Sequence, residues 1–129
     1  MNFIWQYLVA AGLFVACDAV WLTTMVKRFY RPQMGKLISA QPDFLAAGAF
    51  YALYIFGIIV FVVTPALAKD SLSFAVSRGA LLGLLMYATY DLTNQATLKG
   101  WPIKVTIVDM LWGTFVTGLV ATVTYLIFR

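Results

Sequence analysis

The chain contains no histidine and no glutamate, and it has a single cysteine, Cys17. Without these residues it cannot form a Ser-His-Asp triad, a histidine-based zinc or haem site, or the Glu/His di-iron sites that oxidise lipids. One cysteine also excludes a disulfide within the chain. No lysine lies in the middle of an apolar run, which argues against a retinal Schiff base. We therefore expect no haem, no zinc and no retinal.

Charged residues are also scarce. They make up 11% of the 129 residues, whereas hydrophobic residues make up 63%, and the mean hydropathy is +0.89. A soluble domain is about half apolar and roughly a quarter charged, so this chain cannot cover itself with a solvated surface. Aromatic residues reach 16%, unlike disordered chains, which are poor in aromatics. The composition predicts one small membrane domain over residues 1–129.

Four apolar stretches are long enough to cross a bilayer, which takes about 20 mostly apolar residues in a helix. They cover about residues 2–26, 44–65, 75–98 and 105–128, and an interfacial basic loop occupies residues 27–43. Short connections favour antiparallel neighbours. The predicted fold class is therefore all-α, an integral membrane four-helix bundle in up-down antiparallel order. No basic residue precedes Lys27, so the first stretch is expected to remain as a span rather than act as a signal peptide.

The basic residues are distributed unequally between the two ends of the predicted bundle. The first and third connections carry six of them: Lys27, Arg28, Arg31, Lys36, Lys99 and Lys104. The other end carries three: Lys69, Arg78 and Arg129. The positive-inside rule then predicts cytoplasmic first and third loops and periplasmic termini in a bacterial inner membrane. We interpret the net charge of +4 as contact with anionic membrane lipid, with no nucleic-acid partner.

Basic and aromatic residues alternate at the start of the first loop. Lys27, Arg28 and Arg31 surround Phe29 and Tyr30. One interpretation is an interfacial anchor, in which the cations meet lipid headgroups and the rings sit at the boundary. The other is a headgroup-binding clamp for a phosphate or another anionic group.

Three aspartates, Asp18, Asp91 and Asp109, lie inside the apolar stretches, where an acid opposes insertion and by default marks a functional interior. Their distances along the helix axes from Lys27, Lys99 and Lys104 correspond to roughly 7 to 14 Å from the same membrane face. We therefore expect the three acids to face one shared cavity. With no evident basic partner for at least two of them, we expect at least one to be neutral at pH 7. A divalent cation such as Mg²⁺ is the cofactor that these three acids could hold.

Polar and aromatic residues follow each acid at helical spacing. Spacings of three or four residues place side chains on one helix face. On this basis we predict a ligand-binding pocket formed by Asp18, Trp21, Tyr87, Asp91, Asn94, Asp109 and Trp112. Gly79 and Gly83 continue the Tyr87–Asp91 face as a Gly-x-x-x-Gly pattern, which predicts close contact with another helix.

Three motifs carry a family resemblance. Asp-x-x-Trp-Leu begins at Asp18, Tyr-Asp-Leu-Thr-Asn covers residues 90–94, and Asp-x-x-Trp-Gly begins at Asp109. In this order and spacing, they make the chain similar to a bacterial family of small predicted membrane proteins, domain-of-unknown-function family 2177. The resemblance covers essentially the whole chain and includes the layout of four spans. It implies no particular activity, so the functional interpretation rests on the acids.

Three functions remain open at this stage. The first is binding or modification of a lipid or other amphiphile in the cytoplasmic leaflet, and whether this would be enzymatic is left undecided. The second is a small proton- or cation-coupled transporter or channel, since protonatable acids are what such coupling requires. The third is a structural or accessory membrane subunit with a polar core. We also expect a homodimer, because four helices enclose little interior.

Overall fold

The computed structural model describes residues 2–38 and 41–129, with the side chains of residues 2 and 36 left out, and all its regular elements are helical. Helix α1 runs over Asn2–Met25 and continues through a π-helical turn, Val26–Tyr30, and a short α-helical turn, Arg31–Met34. Helix α2 comprises Phe44–Ile58, a π-helical turn, Ile59–Val63, and Thr64–Lys69. Helix α3 spans Leu72–Thr97, and α4 spans Ile103–Phe128. All four are long and apolar enough to cross a membrane. The all-α four-helix membrane bundle is confirmed.

Each π-helical turn directly precedes a proline-containing turn. Pro32 follows the turn in α1, and Pro65 follows the turn in α2. A proline within a helix has no backbone N–H, and its ring clashes with the carbonyl four residues earlier. A π-helical turn relieves this conflict by widening the helix locally. It also rotates the following residues relative to an uninterrupted α-helix.

Short capped connections join the helices. Asp43 precedes α2, and its side chain accepts a hydrogen bond from the backbone N–H of Ala46 at 3.1 Å. Asp70, in the left-handed conformation at φ 48°, and Ser71 form the whole connection between α2 and α3. Gly100, at φ 75°, lies in the connection between α3 and α4. Both connections reverse the chain tightly and produce antiparallel neighbours.

Helices α3 and α4 pack together through small residues. A Cβ atom on Gly79 would lie 3.0 Å from the Ala121 Cβ, and one on Gly83 would overlap the carbonyl oxygen of Gly113 and the side chain of Thr117. The backbones approach this closely because the glycines have no side chain. The predicted contact at Gly79 and Gly83 is therefore confirmed, with α4 as the partner helix.

The bundle is packed unevenly along its length. In the second half of α2, Tyr54, Ile58 and Val62 are buried against Phe14 of α1 and Val116 of α4. At the start of α2, by contrast, every residue from 44 to 50 is exposed. The beginning of α2 therefore diverges from the rest of the bundle, which leaves space beside it.

Residues 26–38, which we call the cap, fold over this same end of the bundle, the cap end. They were expected to belong to an interfacial loop at residues 27–43, but helical turns continue through residues 26–37. Tyr30 of the cap packs with Trp101 and Val105, so burial of an aromatic ring holds the cap to the bundle. Part of the predicted loop, residues 39 and 40, lies outside the described residues.

Candidate functional site

Two cavities adjoin at the cap end. The first has a volume of about 230 Å³, and its lining includes Asp18, Asp109 and two residues of the cap, Met34 and Ile38. The second, of about 240 Å³, is lined by Phe50, Met86, Tyr87, Tyr90 and Asp109. Tyr87, Tyr90 and Asp109 line both, so the two cavities meet at these side chains.

The second cavity lies between α2 and α3. Phe50 of α2 is 46% exposed and Tyr90 of α3 is 57% exposed, so its walls reach the surface that would face lipid. The divergence of α2 at residues 44–50 leaves this gap. The cavities thus combine a polar interior at Asp109 with an apolar opening at Phe50 and Met86.

A chain of hydrogen bonds positions Asp109. The indole N–H of Trp21 donates to the hydroxyl oxygen of Tyr30 at 3.0 Å, and the Tyr30 hydroxyl donates to Oδ1 of Asp109 at 2.8 Å. Tyr30 belongs to the π-helical turn of the cap, whereas Asp109 belongs to α4. The cap is therefore tied to the interior acid through a buried tyrosine.

Trp21 and Trp112 form the wall beside this chain. Their rings stack with centroids 4.3 Å apart and an interplanar angle of 7°. The N–H of Trp112 is buried without a hydrogen-bond partner, although it lies close enough to Asp18 to interact electrostatically. Both tryptophans line the first cavity rather than an outer aromatic belt.

Asp18 lies at the inner end of the first cavity and is only 8% exposed. The hydroxyl of Tyr51, from α2, donates to its Oδ2 at 2.5 Å. Asp109 is the other acid that acts on it electrostatically. Helices α1, α2 and α4 therefore meet at this carboxyl group.

Asp91 is the most deeply buried acid, with 0% of its surface exposed. Neither carboxyl oxygen meets hydrogen-bond geometry with a described residue, but the carboxyl group of Asp109 is close enough to interact with it. A buried polar group without a partner costs about 1–3 kcal/mol in mutational data. Asp109 is therefore the group that would offset this cost, by sharing a proton with Asp91.

Asp109 is the point at which the three acids converge. It interacts with Asp18 on one side and with Asp91 on the other. Within the described part of the chain, however, no three acidic or thiol side chains lie close enough together to hold one metal ion. The predicted Mg²⁺ site at Asp18, Asp91 and Asp109 therefore stays a prediction.

A second polar network closes the cap end. The indole N–H of Trp101 donates to Oγ1 of Thr106 at 3.0 Å, and that hydroxyl donates to Oε1 of Gln95 at 2.8 Å. The Gln95 amide donates in turn to the Trp101 carbonyl at 2.9 Å. This closed cycle fixes Trp101 against the first cavity, which its ring lines.

The predicted pocket residues fall into two groups. Five of them line the cavities: Asp18, Trp21, Tyr87, Asp109 and Trp112. Asp91 lies buried behind Asp109, and Asn94 lies beside Tyr90 without lining either cavity. Tyr87 is held in place because its ring occupies the space where Gly113 has no side chain.

The basic residues predicted to bind a headgroup lie elsewhere. Lys27, Arg28 and Arg31 are all exposed on the cap, and none of them lines either cavity. Sequence reasoning missed three aromatic residues in the wall of the first cavity: Tyr30, Tyr90 and Trp101. The one available signal was that Tyr90 directly precedes Asp91. Tyr30 is the last residue of a π-helical turn, which shifts the helical register.

The fold and the interior acids define a class, that of small integral membrane proteins built as a four-helix bundle with a polar cavity near one end. Residues 3–126 match the family DUF2177, described as a predicted membrane protein. Because the match covers nearly the whole chain, the protein belongs to this family, as its motifs predicted. No curated protein and no solved structure matches the chain.

Proposed function

We propose that the protein binds an amphiphile, with the polar head in the first cavity and the chain emerging between α2 and α3. The observation that carries this proposal is the pair of adjoining cavities, which share Tyr87, Tyr90 and Asp109 as walls and bring buried acids beside an apolar gap on the lipid-facing surface. Binding sites commonly combine apolar walls with a few convergent polar groups. Here Asp18, Asp109 and Tyr30 are the polar groups.

The volumes favour a headgroup and the first part of a chain. Pockets that enclose whole small molecules typically measure about 300–1,000 Å³, and each cavity here is smaller, at about 230 and 240 Å³. Phe50 and Met86 would contact the first methylene groups, and the remaining chain would stay in the bilayer. Such an arrangement requires no water-filled path for the chain.

The proposed membrane and leaflet follow from charge. Six basic residues at the cap end against three at the other end favour a cytoplasmic cap and periplasmic termini in a bacterial inner membrane. The exposed Lys27, Arg28 and Arg31 would then anchor the cap to anionic lipid. The amphiphile would enter from the cytoplasmic leaflet.

Native mass spectrometry of the purified protein tests amphiphile binding. We expect one dioleoyl lipid to remain bound to each protein molecule after the dodecyl maltoside micelle is removed in the mass spectrometer. Met86→Trp should obstruct the gap and lower the bound fraction at least about tenfold, because overpacking a filled site displaces its occupant. Leu85→Trp is the matched control, because Leu85 lies one residue away and is 56% exposed. Equal lipid retention in both variants would overturn the proposal.

A second candidate, proton-coupled transport, is favoured by Asp91 alone. This acid is fully buried, and its interaction partner among the titratable groups is the neighbouring Asp109. Neighbouring acids buried within a membrane are typical of proton relays. Adding an amphiphile to proteoliposomes would then drive a proton flux across their membrane. Asp91→Asn would abolish this flux, whereas Asp70→Asn would not. Binding without any flux would leave amphiphile binding as the function.

A further inference from the structure

Aromatic residues make up much of the wall of the first cavity. Six rings line it: Trp21, Tyr30, Tyr87, Tyr90, Trp101 and Trp112. The face of an aromatic ring is electronegative and attracts a cation, most strongly where water is excluded. Apart from Asp18 and Asp109, the rest of the lining is aliphatic or methionine, so the rings and the two acids are the groups that can recognise a polar headgroup.

The charges in the cavity have one sign. Asp18 and Asp109 line it, whereas neither lining includes a lysine or arginine from the described residues. A phosphate or carboxylate headgroup would meet two acids and no counter-charge. A cationic headgroup would instead be attracted by both carboxylates, and this attraction is strong in a medium of low dielectric constant.

The hydrogen bonds of the wall favour the same occupant. The donors of Trp21, Tyr30 and Tyr51 are all directed at acceptors within the wall. What the wall still offers to a ligand is therefore the carboxylate oxygens of Asp18 and Asp109, the aromatic rings, and the hydroxyl groups of Tyr87 and Tyr90, which can donate as well as accept. Trp112 contributes the one buried donor without a partner among the described wall residues.

We propose that the amphiphile bound in this pocket carries a positively charged nitrogen in its headgroup, an amine or a quaternary ammonium. This assignment rests on the proposed function, since it names the class of the molecule that would occupy the same cavities. The aromatic rings would surround the cation, Asp109 and Asp18 would neutralise it, and the chain would leave between Phe50 and Met86.

Three probes with identical dioleoyl chains distinguish the contribution of the headgroup to binding from that of the acyl chains. They are dioleoyl trimethylammonium propane, dioleoyl phosphatidylglycerol and dioleoylglycerol. Binding to the purified protein in dodecyl maltoside is measured by native mass spectrometry. We expect the trimethylammonium lipid to bind at least about tenfold more tightly than the other two, as a desolvated cation–π site would produce. The protein's net charge of +4 would by itself favour phosphatidylglycerol, so this preference would not arise from bulk charge.

Matched variants test whether the preference for the trimethylammonium lipid arises in this cavity. Asp109→Asn should reduce it about tenfold, while Asp70→Asn, at the opposite end of the bundle, should leave it unchanged. Tyr90→Leu should weaken it several-fold, whereas Tyr90→Phe keeps the ring and should not. Because Tyr90 is largely exposed, this pair gives a result even if Asp109→Asn does not fold.

The outcomes separate the two proposals. Equal binding of all three lipids would overturn the cationic headgroup and leave amphiphile binding intact. A preference that survives both Asp109→Asn and Tyr90→Leu would also overturn the assignment to this cavity. Absence of any one-to-one lipid complex would overturn amphiphile binding itself.

Discussion

Asp109 connects more of the candidate site than any other single residue. It accepts a hydrogen bond from Tyr30, interacts with Asp18 and Asp91, and lines both cavities. The convergence of the acids was predictable, because helical rise converts sequence distance from the basic boundary into depth. Tyr30 was not predictable as its partner, since Tyr30 lies in a π-helical turn whose register differs from that of an α-helix.

Tyr30→Phe should destabilise the fold. It removes the donor to Asp109 and the acceptor for Trp21, so two partly buried polar groups lose a partner at once. We expect a loss of about 1–3 kcal/mol in the free energy of unfolding. Equilibrium unfolding in mixed dodecyl maltoside and SDS micelles measures this loss.

Tyr90→Phe is the control for Tyr30→Phe, because it also deletes a phenolic hydroxyl but from a ring that is mostly exposed. Its free energy of unfolding should stay close to that of the native protein. Equal stability of Tyr30→Phe and the native protein would show that the bond from the cap to Asp109 contributes nothing to the fold.

At the scale of elements, the contact between α3 and α4 was the most predictable. Gly79 and Gly83 are four residues apart on one face, and this spacing favours close helix packing. The uneven path of α2 was not predictable in the same way. Its apolar residues read as one continuous span, and nothing in their order distinguishes the exposed start at Phe44 from the buried second half.

Gly83→Ala should separate α3 from α4. The added methyl group would overlap the Gly113 carbonyl oxygen and Thr117, and a backbone atom cannot move aside as a flexible side chain can. Overpacking of this kind typically costs about 1–3 kcal/mol. The thermal midpoint of the variant in detergent should fall accordingly.

Gly12→Ala is the matched control for the α3–α4 contact. It makes the same change within a helix, but no atom lies within 4 Å of the new methyl group. Alanine is the better helix former by up to about 1 kcal/mol, so Gly12→Ala should be neutral or slightly stabilising. A loss of stability as large in Gly12→Ala as in Gly83→Ala would contradict the packing argument.

At the scale of the whole molecule, the composition was enough to predict the class of protein, a small membrane protein. Scarce charge and four long apolar stretches leave only a membrane bundle, which the four long apolar helices confirm. The cavity could not be predicted in the same way, because its volume depends on how α2 diverges and how the cap folds back. The expected homodimer stays a prediction.

The orientation of the bundle is testable with single cysteines. In a Cys17→Ala background, Lys99→Cys should be shielded from a membrane-impermeant maleimide added to intact bacterial cells, because the positive-inside rule predicts that its end, with six basic residues, faces the cytoplasm. Asp70→Cys, in the connection at the opposite end, should be labelled. The reverse pattern would move the proposed site to the periplasmic leaflet.

The central claim is that an amphiphile enters the adjoining cavities between α2 and α3. Photocrosslinking with a diazirine-bearing lipid tests it most directly. The adducts would be mapped by mass spectrometry of peptides from protein in bilayers. The account predicts adducts concentrated on Phe50, Met86 and Tyr87, which decline when unlabelled lipid is added in excess. Adducts spread evenly over lipid-facing residues such as Leu81, Leu111 and Phe115, with no decline on competition, would contradict it.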